Sequence, residues 1–220
     1  CQTWGGLIVS VTGTNEKFPS YEGAIDAGLF HPNCLPGDAL VDVGNVRAAF
    51  RARFKGDLVR IITECGAVLR AAPRHPVLTP EGWIEAQAIK AGAPVFRATG
   101  ADFVGRKTLP ISEVFDRMAR TVGAGRFEKP AMPSFFHGDG ASVQGAVDIV
   151  GNPDPDNSER AFTTLEPAIV ASVEREHFDG YVYDLSTAEG CYSAGDSRGL
   201  VMVSNCDCSL ERIDETIDET

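Results

Sequence analysis

Apolar positions in this chain gather into short blocks rich in Val, Ile and Leu, separated by Gly, Pro, Asn and Asp. That rhythm predicts strands more than helices. Blocks at 39–43, 58–63, 67–71 and 94–98 read as strands. Turn signals divide them at Gly44-Asn45, Lys55-Gly56-Asp57, Glu64-Cys65-Gly66 and Pro80-Glu81-Gly82. Strand texture returns at 169–177, with a turn expected at Phe178-Asp179-Gly180 and further strands at 181–185 and 200–203. One stretch changes period: Ile111, Val114, Phe115, Met118 and Val122 fall on one helical face, so an amphipathic helix is expected there. Residues 123–157 are rich in Gly and Pro and read as loop with one short strand at 146–150. The first 33 residues predict a strand at 7–11, a turn at 12–15 and a short helix over 21–28. Two β-rich blocks thus flank a softer insertion at about 101–177, and no internal repeat is evident.

Composition narrows this further. With 220 residues, 43% hydrophobic and 23% charged, the chain reads as a globular protein of one or two domains. No apolar run approaches the roughly 18–20 residues of a membrane span, and no signal peptide is visible, so no membrane partner is expected. A start at Cys1 instead of Met suggests a piece of a longer chain. The net charge of −11 argues against a nucleic-acid partner. Much of it sits in the tail 206–220, where Asp207, Glu211, Asp214, Glu215, Asp218 and Glu219 face only Arg212, and a solvated end is expected. Of the six cysteines, Cys65 and Cys191 lack partners at metal-ligand spacing and read as small core residues.

Candidate chemistry concentrates at two junctions and one histidine. Asn33-Cys34 opens Cys34-Leu-Pro-Gly-Asp-Ala-Leu-Val directly before the first β block. Ser204-Asn205-Cys206 closes the second block after Gly199-Leu-Val-Met-Val. Between them, Ala72-Pro-Arg-His75-Pro-Val-Leu-Thr79 places an imidazole at a strand end, which taken alone reads as a histidine bonded to backbone. Gly180-Tyr-Val-Tyr-Asp184-Leu-Ser-Thr supplies a carboxylate.

Taken in this order, the blocks resemble the Hint domain, the self-processing fold of inteins and hedgehog-type proteins. The resemblance implies a mostly β, horseshoe-like domain over 34–205 with a small α/loop insertion and short flanks, 1–33 and 206–220. It implies protein splicing in cis, a single-turnover peptide cleavage and ligation that needs no cofactor. The site residues carried over are Cys34, His75, Asp184, Asn205 and Cys206. Cys34 would form a thioester with Asn33, His75 would protonate the departing amide, and Asp184 would tune transfer to Cys206. Asn205 would then cyclise to a succinimide, since only Asn, or more weakly Gln, has the reach. A thiol suits the nucleophile because its thiolate is strongly nucleophilic and leaves well.

Two positions depart from the family pattern. Ala72 stands where the family usually has Thr, which removes a hydroxyl donor from the first scissile bond. Ser204 stands where it usually has His. Acid assistance is worth about 10²–10⁴ in rate, so cyclisation is expected to be slow unless His177 substitutes. Splicing therefore competes with two alternatives, cleavage without ligation and an inert insert. The insertion is too short for a two-repeat homing endonuclease, which implies a mini-intein, and Phe136-His137-Gly138-Asp139 reads as loop.

The flanks carry a second resemblance, to the C-terminal part of a tailed-phage minor head protein. Joining Gly28-Leu-Phe-His-Pro-Asn33 to Cys206 restores that family's Gly-Leu-Phe-His-Pro-Asn-Cys motif. The expected partners are therefore the chain's own flanks and, after ligation, other phage head proteins. Synthesis would take place in the cytoplasm of a bacterial host, with the joined product in the virion. Ligation would also bring His31, Cys206 and Cys208 together, with Cys1 as a candidate fourth zinc ligand, although ordinary reduced cysteines are the simpler reading.

Overall fold

A computed structural model describes residues 34–42, 46–99, 108–121, 142–151 and 164–205, with the backbone alone at 121 and 142–151. All of them belong to one compact unit, His31–Cys206. The expected elements at 7–11, 12–15 and 21–28, the turn at Gly44-Asn45, Val122, the His137/Asp139 loop and the acidic tail lie outside the described residues. So do Cys206 and the residues considered for zinc, Cys1, His31 and Cys208.

The fold is mostly β. In chain order the strands are β1 (Leu35–Pro36), β2 (Leu40–Asp42), β3 (Val46–Thr63), β4 (Val68–Ala71), β5 (Pro76–Thr79) and β6 (Gly82–Glu85). A 3-10 turn at Ala86–Ala88 follows, then β7 (Pro94–Thr99), β8 (Thr108–Pro110), helix α1 (Ile111–Thr121) and β9 (Ser142–Gly151). The chain closes with β10 (Thr164–Thr187), β11 (Cys191–Asp196) and β12 (Gly199–Ser204). These strands form one open sheet in the order β4-β3-β10-β7-β12-β11-β2-β8, with β1 beside β10, β9 beside β3 and the β5–β6 hairpin on β12. Among the described residues, no helix is long and apolar enough to cross a membrane.

Two long strands organise the sheet. From Val170 to Thr187, β10 runs antiparallel to β3; its first six residues, Thr164 to Ile169, pair instead with β7. A register shift between Val170 and Ser172 marks the change of partner. The ribbon's solvent side carries charge pairs, Arg60 with Glu174 at 2.6 Å and Arg53 with Asp179 at 2.6 Å, and His177 Nδ1 lies 3.3 Å from Asp57. Its inner side feeds the main core, which includes Leu35, Val59, Ile61, Leu69, Leu185 and Val203.

The ribbon also corrects two expectations. Neither Lys55-Gly56-Asp57 nor Phe178-Asp179-Gly180 is a turn, because β3 and β10 run through both and pair there, Gly56 opposite Phe178 and Gly180 opposite Phe54. Gly180 serves packing. A Cβ on Gly180 would sit 2.8 Å from the Phe178 ring, and that ring packs with Phe54, centroids 6.5 Å apart. Glycine inside a strand can mark close approach as well as a break.

Other local signals hold. Glu64 and Cys65 form the tight turn from β3 to β4, with Gly66 at φ +89°. Pro80-Glu81 closes the β5–β6 hairpin, in which Thr79 pairs Gly82. In α1, Ile111, Val114 and Phe115 are buried and Met118 packs against the core, as the period predicts. The strand expected at 146–150 lies within β9.

Candidate active site

Cys34 sits immediately before β1, whose register sets Leu35 opposite Tyr183 and Pro36 opposite Val182 on β10. One step further along that ladder lies Asp184. After β1 the chain turns at once, with the Ala39 N–H donating to Pro36 O at 3.0 Å. Gly37 is required in that turn, because a Cβ there would meet the Tyr183 ring at 2.9 Å and Ser112 Cβ at 3.2 Å. Helix α1 locks the same turn: Ser112 Oγ donates to Gly37 O at 2.7 Å and the Ile111 N–H to Ala39 O at 2.9 Å. Arg70 clamps it from β4 by bonding both Asp38 and Glu176. Cys-Leu-Pro-Gly-Asp is thus a short strand and a braced turn that fix the cysteine's position.

The surroundings of Cys34 are apolar on one side and anionic on the other. Ala52, Phe54, Leu58 and Val182 form a small core against which Cys34 and Phe178 pack. Burial pushes the thiol well above its ordinary pKa, and the Asp184 carboxylate raises it further. Cys34 is therefore a neutral thiol at pH 7, and attack requires a base as the S–H bond breaks.

Asp184 is buried, and its Oδ1 accepts two hydrogen bonds: from the Leu185 N–H at 2.8 Å and from the Tyr192 hydroxyl at 2.8 Å. Tyr192 lies on β11 and is itself buried. Its phenol is held protonated well above the usual value, first by burial, then by the Asp184 charge and hydrogen bond, with a smaller contribution from Cys34. Cys34, Asp184 and Tyr192 therefore form one interacting cluster. Sequence reasoning misses Tyr192. It expects no strand at 191–196, although Cys191-Tyr-Ser-Ala-Gly-Asp is flanked by glycine-containing turns on both sides.

His75 is fully buried and comes out of a tight turn at 72–75, in which its N–H donates to Ala72 O at 3.0 Å. Pro73 suits that turn by fixing φ at its second position. The backbone is pinned on both sides, by the Ala86 N–H on His75 O at 2.9 Å and the Gln87 N–H on Pro73 O at 2.8 Å. The same turn reaches Cys34, since the Ala72 N–H donates to Cys34 O at 2.8 Å. The missing threonine hydroxyl at 72 thus leaves a backbone donor beside the cysteine.

Asn205 ends the other arm. Val203 on β12 pairs Val77 on β5, and at that antiparallel register His75 stands level with Asn205. On its other side Asn205 continues the β11–β12 ladder, its N–H donating to Gly190 O at 3.2 Å. With the amide oriented to satisfy both ends, the side-chain NH2 donates to Gly190 O, and Oδ1 accepts from the Thr187 N–H at 3.1 Å. Gly190 adopts φ +76°, a left-handed conformation that suits glycine. Ser204 Oγ donates to Asn205 O at 3.0 Å, with Gly190 O further off at 3.4 Å.

The structure thus brings Cys34 and Asp184 into one cluster, bonds Cys34 O to the turn that carries His75, and sets Asn205 level with His75 in register. Cys206 lies outside the described residues. His177 is elsewhere: it is 68% exposed on the ribbon, bonded to Asp57, and ten residues up β10 from Thr187. At about 3.3 Å per residue that is roughly 30 Å of strand, so it is not placed to assist Asn205.

No protein-family model matches the chain. No curated protein matches it either. Among solved structures, the chain is similar to the KlbA intein precursor from Methanococcus jannaschii, at 15% identity and a TM-score of 0.40, over 71% of this chain and 53% of that one. It therefore spans about half the length of that precursor. It is also similar to the DnaX mini intein from Spirulina platensis, at 13% identity and a TM-score of 0.43, covering 78% of this chain and 99% of that one. A third likeness, to the TvoVMA intein, has 18% identity and a TM-score of 0.36, over 72% and 61% of the two chains.

Proposed function

We propose that residues 34–205 form a self-processing domain of the intein type that excises itself and joins 1–33 to 206–220. The observation that carries this reading is the convergence of the two ends. Cys34 and Asn205 lie 171 positions apart in sequence. Yet one turn supplies a backbone donor to Cys34 O and sets His75 level with Asn205.

Each residue has a task its surroundings suit. Cys34 Sγ attacks the Asn33 carbonyl carbon; the C–N bond breaks, and the departing nitrogen takes a proton, which buried His75 supplies. The thiol, held neutral, must lose its own proton in that step, and the carboxylate beside it is Asp184. Transfer to the Cys206 thiol follows. Asn205 Nδ2 then closes on its own carbonyl carbon and releases Cys206 as a free amine. The joined product would carry the continuous head-protein motif read across the junction.

Intact-mass analysis of the full chain after expression tests the proposal. Splicing yields an excised 172-residue piece (34–205) and a joined piece made of 1–33 and 206–220. Three fragments indicate cleavage without ligation, and an unchanged 220-residue chain refutes self-processing.

A further inference from the structure

The last rung of the β11–β12 ladder is the Asn205 N–H on Gly190 O, so the strand needs nothing more from Ser204. The Ser204 side chain nevertheless turns toward the next peptide group, its Oγ 3.0 Å from Asn205 O. A hydroxyl has one proton to give, and the alternative acceptor, Gly190 O, is further off at 3.4 Å. The bond therefore falls on the carbonyl that the proposed cyclisation attacks.

The geometry points to Ser204 as a catalytic residue of the C-terminal junction, its hydroxyl stabilising the oxyanion that develops on Asn205 O. This inference rests on the self-processing reading and deepens it. As Nδ2 bonds to the Asn205 carbonyl carbon, the carbonyl electron pair moves onto oxygen. On collapse that pair returns, the C–N bond to Cys206 breaks, and a proton passes from Nδ2 to the leaving nitrogen. A donor already aimed at the oxygen strengthens as charge grows there and needs no reorganisation. Serine does not replace a histidine's acid function, because its hydroxyl stays protonated through the neutral range. It supplies a different contribution at the same place in the chain. Gly190 O and the Thr187 N–H hold the other end of the reacting residue, so carbonyl and amide are both fixed before reaction.

The test follows release of 206–220 by intact mass in the full chain carrying Cys34→Ala, which removes the first nucleophile and isolates the Asn205 step. Removing one oxyanion donor costs about 10²–10³ where the site is dry. Ser204 is half-buried, so Ser204→Ala is expected to slow release roughly 10- to 100-fold. Ser204→Thr, which keeps the hydroxyl, should restore most of the rate. The pH profiles with Ser204 intact and with Ser204→Ala should run parallel, because the group removed does not titrate. Equal rates for Ser204 and Ser204→Ala, or an equal loss in Ser204→Thr, overturn the inference and leave the self-processing reading standing. No release from any chain, the Ser204 parent included, while Asn205 is intact refutes cyclisation itself and the serine's role with it.

Discussion

Replacing Tyr192 by Phe deletes one oxygen from a buried position and leaves its ring packing in place. That oxygen donates at 2.8 Å to Oδ1 of Asp184, a carboxylate with almost no solvent access whose same atom also accepts from the Leu185 N–H. A hydrogen bond to a charged group is worth about 1.5–3 kcal/mol, and the loss falls at the upper end when the acceptor cannot turn to water. For a domain of this size that corresponds to a fall in Tm of roughly 3–12 °C. The melt is run in a Cys34→Ala/Asn205→Ala background, so that the chain stays intact, with Asp184→Asn and the double variant completing a cycle. The pair should couple by at least about 1 kcal/mol, because removing either partner abolishes the same bond. In the reactive chain, Tyr192→Phe should also slow ligation more than it slows release at Asn205, since the phenol bonds Asp184, the carboxylate that acts on Cys34. A Tm within a degree of the parent with negligible coupling would refute the claim that Tyr192 holds Asp184.

Three further outcomes follow from the same geometry. Alkylation by iodoacetamide at pH 8, mapped by peptide mass, should label Cys65 well before Cys34: burial is the largest single influence on Cys65 and raises it, but Thr63 Oγ1, the Ala67 backbone and Arg97 together outweigh it and leave the thiol below its ordinary value. Asp184→Asn should ease Cys34 labelling only in part, because burial is the larger cause of its raised pKa. Cys34 and Tyr192 both titrate higher folded than unfolded, so the stability they contribute is complete below roughly pH 8.5, the unfolded thiol value, and is lost as pH rises beyond it. Urea melts should show a fall of about 1.4 kcal/mol per pH unit per group there, and Cys34→Ala should remove the part that begins first. Gly195→Ala would drive a Cβ into the Gly199 carbonyl oxygen on the paired strand, so it should cost about 1–3 kcal/mol and slow release at Asn205 by parting β11 from β12, whereas an unchanged melt would refute that packing.

How far the sequence reveals this molecule depends on whether a signal is local. The helix is legible because Ile111, Val114, Phe115 and Met118 repeat on one face within the segment itself. The hairpin at Pro80-Glu81 is legible for the same reason. Gly56 and Gly180 mislead because the pairing that keeps both in strands lies across the ribbon, over a hundred residues away: each stands opposite a phenylalanine of the other strand. Cys34, His75, Asp184 and Asn205 stand out as members of consecutive blocks, yet the placing of Cys34 beside Asp184 and of Asn205 level with His75 depends on pairings between β1 and β10 and between β5 and β12 that no local pattern encodes. Tyr192 carries no block of its own. At Ser204 the sequence displays the lack of a histidine, while the direction of the serine hydroxyl is a property of the strand end.

The softer stretch between the two β blocks is not an appendage to this arrangement. Strand β8 pairs with β2, and α1, directly after it, supplies three bonds that lock the turn at 36–39 behind Cys34. Phe115 on α1 packs edge-on against Tyr183, centroids 5.9 Å apart, and Tyr183 is the residue opposite Leu35. The arm that carries Cys34 is therefore a strand of two residues held from three directions: by β10 in the ladder, by β4 through Arg70, and by α1 through Gly37 and Ala39. So short a strand has too little pairing of its own to fix a side chain. Its order comes from the clamps. Cys34 is accordingly positioned by residues far along the chain, and the site at the two junctions becomes complete only when 108–121 and β10 have docked. A chain still being synthesised has Cys34 and His75 early, but not the contacts that position Cys34.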